Sequence, residues 1–200
     1  MKGSLIIVAF FVAGICIGRF GEVAEWLKGE QVALYALYAL MFLVGISVGS
    51  DRKALQALKQ QQWKIVFVPL GTIAGTLAGV ALVSIVLPGR SLSDCLAVGS
   101  GFGYYSLSSI FITQYKGAEL GTIALTSNIM REIITLLCAP LMVRYFGKLA
   151  PISSGGATSM DTTLPVITRF AGKEFVIVSI FHGMTVDFCV PFLVTFFCLW

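Results

Sequence analysis

Arg131 and Glu132 stand side by side in a long apolar run, with Asn128 before them and Thr135 after. The spacing i, i+3, i+4, i+7 places all four on one stripe of a helix. A charged side chain at the centre of a bilayer costs about 2.5–3.5 kcal/mol on insertion scales, so it persists where protein or water receives it. Two roles fit the stripe. Arg131 forms a buried ion pair, with Glu132 or with an acid elsewhere, that fixes helix packing; or the stripe lines the path of an ion or polar substrate. Asp161 is the second focus. It lies between GGATSM and TTLP, among the hydroxyls of Thr158, Ser159, Thr162 and Thr163. A carboxylate in such a place binds a cation or carries a proton, unless it is simply the N-cap of a helix starting at Thr-Thr-Leu-Pro. Ser106, in GYYSLSS, is the matching candidate in a second Gly/Ser-rich segment. His182 suits a proton relay because imidazole titrates near neutrality; a packed polar residue is the alternative. Asp187 sits about 140° from it on an ideal helix, so the two do not share a face, and Pro191 is placed to kink that helix. Asp51 and Asp94 read as solvated caps near membrane ends.

These residues need elements that hold them in an apolar medium. Of the 200 residues, 57% are hydrophobic and 12% charged. A soluble domain carries about a quarter charged residues, so too few polar groups remain to cover a water-facing surface. The expectation is an all-α integral membrane protein. No linker or low-complexity stretch divides the chain, which reads as one transporter domain, residues 1–200. A helix crosses the hydrocarbon core with about 20 mostly apolar residues. Residues 4–20, 32–50, 65–87, 120–146 and 175–200 give five such spans; the first lacks a cleavage site and reads as an uncleaved helix. Residues 92–114 and 150–170 differ, because Gly, Ser and Thr fill their centres. Broken backbone is tolerated at membrane depth only where protein or a wet cavity covers it. The breaks are expected near 101–109 and 155–163. Ser100-Gly101 with GYYSLSSIFIT can be laid on Ser154-Gly155 with ATSMDTTLPVIT, which suggests a pair of repeats.

Basic residues choose between two arrangements. The loop with Arg52, Lys53, Lys59 and Lys64 is assigned to the cytoplasm by the positive-inside rule. If both broken segments are re-entrant hairpins, Lys2, Arg144, Lys148, Arg169 and Lys173 join that side, and Arg19, Lys28, Arg90 and Lys116 lie opposite. That split is more lopsided than the one obtained when both segments cross. It also makes the hairpins enter from opposite faces, as inverted repeats would.

The net charge of +4 sits in short clusters at the ends of apolar runs. That suits topology rather than nucleic acid, for which a basic face would be needed. The five scattered cysteines contain no Cys-x-x-Cys pair and read as packing residues. No metal or other cofactor is expected. His-Glu-x-x-His and a phosphate loop are both absent, and the one histidine has no partner at ligand spacing, so no enzyme is expected. Gly71, Gly75 and Gly79 are spaced for close helix packing.

SGFGYYSLSSIFIT, SNIMREIITLL, GGATSMDTTLPVI and HGMTVDFCVPFLV together resemble the LysO lysine exporter family, and MFLVGISVGSD resembles the segment that opens the family's shared half. The likeness runs from about residue 32 onward. It implies export of L-lysine and toxic lysine analogues across the bacterial cytoplasmic (inner) membrane in exchange for protons. It also implicates the acid of the GATSMD motif in transport, the position of Asp161. Long members of the family carry a further N-terminal hydrophobic region. The expected partners are therefore L-lysine, protons, the lipid bilayer, and either another copy of this chain or a small membrane protein supplying those helices. Two other functions fit the residues alone: a monovalent-cation/proton antiporter, and a non-transporting membrane subunit of a split transporter.

Overall fold

The computed structural model describes residues 64–200 apart from Pro88, together with helical positions 12–14, 16, 17, 19, 35, 39, 42, 43 and 46. The expected spans 4–20 and 32–50 and the basic loop 51–64, with Asp51, lie outside the described residues save for those positions and Lys64. Among the described residues all regular structure is helical. The long helices are α1 (Phe67–Val86), α4 (Ala118–Phe146) and α7 (Val176–Leu199). Between them lie two pairs of short ones: α2 (Leu92–Gly99) with α3 (Tyr105–Lys116), and α5 (Ala150–Gly155) with α6 (Leu164–Ala171). Short 3-10 turns occupy Lys64–Val66, Gly156–Met160 and Lys173–Phe175.

Two stretches among the described residues are long and apolar enough to cross a membrane, Phe67–Val86 and Lys173–Leu199. At 29 residues α4 has the length as well, about 43 Å at 1.5 Å per residue, and it carries the polar stripe in its middle. Leu82, Ile85 and Val86 of α1 and Phe188, Phe192 and Phe196 of α7 point outward, as side chains facing lipid would.

Both Gly/Ser-rich segments are broken, and local chemistry explains where. The first helix stops at Gly99, before Ser100-Gly101-Phe102-Gly103, where glycines remove the side chains that favour helix. The break is shorter than expected, because residues 105–109 are helical. The Ser108 hydroxyl bonds back to the Tyr104 carbonyl at 2.7 Å and that of Ser109 to the Ser106 carbonyl at 3.1 Å, so these serines join the helix rather than interrupt it. The second break covers residues 156–163. Helix resumes at Leu164 with Pro165 in its first turn, where a missing N–H costs nothing.

Each broken segment returns to where it began. Asp94, in the first turn of α2, is 3.1 Å from the ammonium of Lys116, the last residue of α3. Arg90 just before this hairpin pairs with Glu119 just after it. In the second hairpin Lys148, ahead of α5, meets Glu174, beyond α6, at 2.9 Å. Because α4 leaves the first hairpin at Lys116 and enters the second at Lys148, the two hairpins open at opposite ends of α4. Their tips therefore meet in the middle of the molecule, where the Ala157 N–H donates to the Phe102 carbonyl at 2.9 Å.

The packing follows this plan. Leu96, Phe102 and Ile112 of the first hairpin pack with Leu120 and Ala124 of α4 and Val186 and Val190 of α7. Ile152, Ile167 and Ala171 of the second pack with Val178, nearer the start of α7. Among the described residues, nothing lies within 4 Å of where a Cβ would stand at Gly71, Gly75 or Gly79 of α1.

Candidate functional site

The stripe on α4 divides by what each side chain meets. Asn128 is buried and holds the first hairpin. Its amide oxygen accepts from the Gly103 N–H at 2.7 Å, while its NH2 group donates to the Ala124 carbonyl at 2.9 Å. Arg131, one turn on, holds the second. Its Nε donates to the Ser154 carbonyl at 2.8 Å and its Nη2 to the Ser153 carbonyl at 2.9 Å. Thr135 completes the clamp, its hydroxyl 2.7 Å from that of Ser154. Arg131 also stacks over Phe102, with 5.9 Å from Cζ to the ring centroid. It has no carboxylate within ion-pair distance among the described residues, so the expected pairing with Glu132 does not occur. Backbone carbonyls near the C-terminal end of α5 carry the negative partial charge instead.

Close approach of the two tips requires glycine at two places. Gly103 has φ +95° and Gly156 φ +63°, conformations that a Cβ disfavours. A Cβ on Gly156 would overlap the Phe102 carbonyl oxygen, and one on Gly103 would lie 2.9 Å from that of Gly155. Phe102 itself has φ +44°, a strained state for a bulky residue that its full burial sustains.

Beside this crossing lies a cavity of about 170 Å³. The first hairpin contributes Tyr104, Tyr105 and Ser106, the second Thr158, Asp161 and Thr162, α4 contributes Glu132 and α7 contributes Asp187. Three carboxylates from three elements thus face one space. The Thr162 hydroxyl donates to the Asp161 Oδ1 at 3.3 Å, and Glu132 lines the same cavity. Asp161 Oδ1 also accepts from the Thr162 backbone N–H at 2.5 Å. It does not cap α6, whose start at Thr163 carries no side-chain cap.

None of the three has a basic partner among the described residues. The other described acids all do: Asp94 with Lys116, Glu119 with Arg90, and Glu174 with Lys148. No group of His, Cys, Asp and Glu among the described residues has metal-binding geometry. The arrangement therefore turns three carboxyl groups, several hydroxyls and two phenols to one space.

Other sequence candidates go elsewhere. Ser159 faces away from the cavity: its hydroxyl donates to the Ser179 carbonyl at 3.0 Å or the Gly156 carbonyl at 2.7 Å, and lies 2.9 Å from His182 Nδ1. His182 is fully buried, and its Nε2 is 2.9 Å from the Thr72 hydroxyl of α1. It ties α1 and the second break to α7, the packed alternative rather than a relay facing the cavity. Thr158 lines the cavity, with its hydroxyl committed to the Gly155 carbonyl at 2.9 Å. Thr163 is buried and donates to the Thr158 carbonyl at 2.9 Å. Asp94 is tied to Lys116 and helps close a hairpin, more than a solvated cap.

Asp187, Tyr104, Tyr105 and Met160 line the cavity without having been singled out as site residues. For Asp187 the helical angle of about 140° from His182 tells only that the two do not share a face; that it meets the cavity depends on the hairpins packed against α7.

The family described as "Lysine exporter LysO" matches residues 8–198. The lysine exporter LysO of Escherichia coli (strain K12) is 31% identical over 194 residues, covering 97% of this chain and 64% of that protein. The chain thus spans slightly less than two thirds of that relative's length. A putative lysine exporter of Haemophilus influenzae is 32% identical over 187 residues, 93% of each chain. No solved structure matches the chain. A family match over residues 8–198, with two relatives 31% and 32% identical over nearly the whole chain, places this chain in the lysine exporter LysO family.

Proposed function

We propose that this chain exports L-lysine, and lysine analogues, across the bacterial cytoplasmic membrane in exchange for protons, and that the cavity at the hairpin crossing is where the exchange takes place. The observation that carries this reading is the contrast in pairing: Glu132, Asp161 and Asp187 share one cavity and have no basic partner among the described residues. Lysine leaves the cell with two ammonium groups and one carboxylate. A site away from bulk water must offset the positive charges, and carboxylates do so directly. When lysine departs, the same oxygens are free to take a proton, which is the minimal chemistry of an antiporter. Asp161 is the residue at which substrate and proton compete, because it lies at the tip of a hairpin between hydroxyl donors. The substrate carboxylate suits the start of α3, where Ser106 lines the cavity and no side chain caps the helix. Helix N-termini favour anions through their free N–H groups.

The orientation follows from charge. Lys64, Arg144, Lys148, Arg169 and Lys173 gather at the end where the second hairpin opens, and we assign it to the cytoplasm. A second membrane-embedded chain, another copy or a small partner, completes the transporter.

Proteoliposomes test the reading. Wild-type protein should exchange labelled lysine for lysine and export it down a proton gradient. Asp161→Asn should insert normally and do neither. If exchange survives while proton-driven export is lost, Asp161 couples rather than binds. Normal proton-driven export by Asp161→Asn would end the proposal for this residue, and absence of lysine flux in the wild type would end the proposed substrate.

A further inference from the structure

The three cavity carboxylates are not equivalent. Asp161 is held by the Thr162 hydroxyl and backbone N–H, and with Glu132 forms one end of the site. Asp187 stands apart on α7, with no hydrogen bond or ion pair to any described residue.

A second feature of α7 falls at the same residue. Pro191 lies inside the helix, four residues beyond Asp187. Proline has no N–H, so the carbonyl of Asp187 loses its intrahelical donor. A backbone oxygen without its usual partner, in a membrane helix, needs one from another source. Asp187 thus brings a carboxylate with no partner among the described residues and a carbonyl that lacks its i+4 donor. An ammonium group carries three donors and accepts nothing.

Resting on the reading of the cavity as a lysine site, we infer that Asp187 receives the second ammonium group of the substrate and thereby sets the requirement for a dibasic amino acid. One ammonium sits at the Asp161–Thr162–Glu132 end and the other at Asp187. A substrate with a single ammonium fills one end only. It leaves Asp187 without a partner, and a site built for a polar group rejects an analogue that lacks it more strongly than an apolar pocket rejects a wrong size.

Competition against labelled lysine exchange in proteoliposomes tests this. The probes are lysine, norleucine (the same chain without the terminal amine) and ornithine (the diamine one methylene shorter). Asp187→Asn should weaken lysine competition by roughly tenfold to a hundredfold, the worth of one charge-assisted hydrogen bond, and leave norleucine unchanged. The ratio of lysine to norleucine affinity is a readout that a merely structural defect would not move. Asp187→Glu, which keeps the charge and lengthens the side chain, should retain preference for diamines and shift it toward ornithine. It decides the matter if Asp187→Asn does not insert. An unchanged lysine-to-norleucine ratio in Asp187→Asn, or an unchanged lysine-to-ornithine ratio in Asp187→Glu, overturns the assignment of Asp187 while leaving the lysine cavity in place. No lysine exchange by the wild type overturns the cavity reading itself.

Discussion

Two neighbours on one helix, Arg131 and Glu132, show how differently this molecule treats buried charge. Arg131 is consumed by structure: it donates to two backbone carbonyls of the second hairpin and stacks over a phenylalanine of the first. Glu132 is left open, facing the same cavity as Asp161 with no basic partner among the described residues. The cation substitutes for hydrogen-bond donors that the broken backbone lacks, and the anion is held in reserve. One turn of α4 therefore fixes the positions of both hairpin tips while presenting a carboxylate to the space between them. A helix that merely paired Arg131 with Glu132 would neutralise the cavity's charge and leave the hairpin carbonyls without partners.

Removing Arg131 is the strongest way to break this division. Arg131→Ala leaves the Ser153 and Ser154 carbonyls without their donors, at about 1–3 kcal/mol for each unsatisfied group. A large loss of thermal stability in detergent is expected, with transport lost as a consequence. Arg131→Lys should recover part of the stability only, because an ammonium cannot reproduce the planar fork of a guanidinium. Stability of Arg131→Ala equal to wild type would show that these contacts do not hold the second hairpin.

Glu132→Gln sharpens the other side. It keeps the shape but removes the charge, so lysine flux should fall by about tenfold or more, or about 1.4 kcal/mol, while the unfolding temperature stays near wild type. Normal flux in a well-folded Glu132→Gln would make the whole stripe structural.

The smallest effect belongs to the acids at the hairpin mouths. Asp94 and Lys116 are both partly exposed, at 22% and 26% of their side-chain surface. Lys116→Ala should cost less than about 1 kcal/mol and leave flux intact, in contrast to any change at a cavity acid. A loss of transport in Lys116→Ala would show that closing the first hairpin matters to the cycle.

Much of the framework was legible beforehand because local chemistry writes it. Glycine around 99–103 and 155–156 cannot sustain helix, and Pro165 marks where helix restarts, so both interruptions could be read from sequence. The serines of 106–109 were misread as part of the first break, since a serine that bonds back to its own helix looks, in composition, like one that interrupts it. The spacing of the stripe on α4 was also visible, and so was Asp161 as a carboxylate among hydroxyls.

What the sequence determined by itself is the helical, apolar character of the chain, the location of its two breaks and the polar residues that lipid does not accommodate. Only the tertiary structure decided what each polar group faces. Asn128 and Arg131 went to the hairpin tips, Glu132 to the cavity, Ser159 and His182 to a buried strut reaching Thr72 of α1, and Asp187 to the site. The physical reason is that helical periodicity fixes the angle between side chains on one helix. The neighbour waiting at each angle comes from elements as many as 110 residues away along the chain, and no local pattern records it.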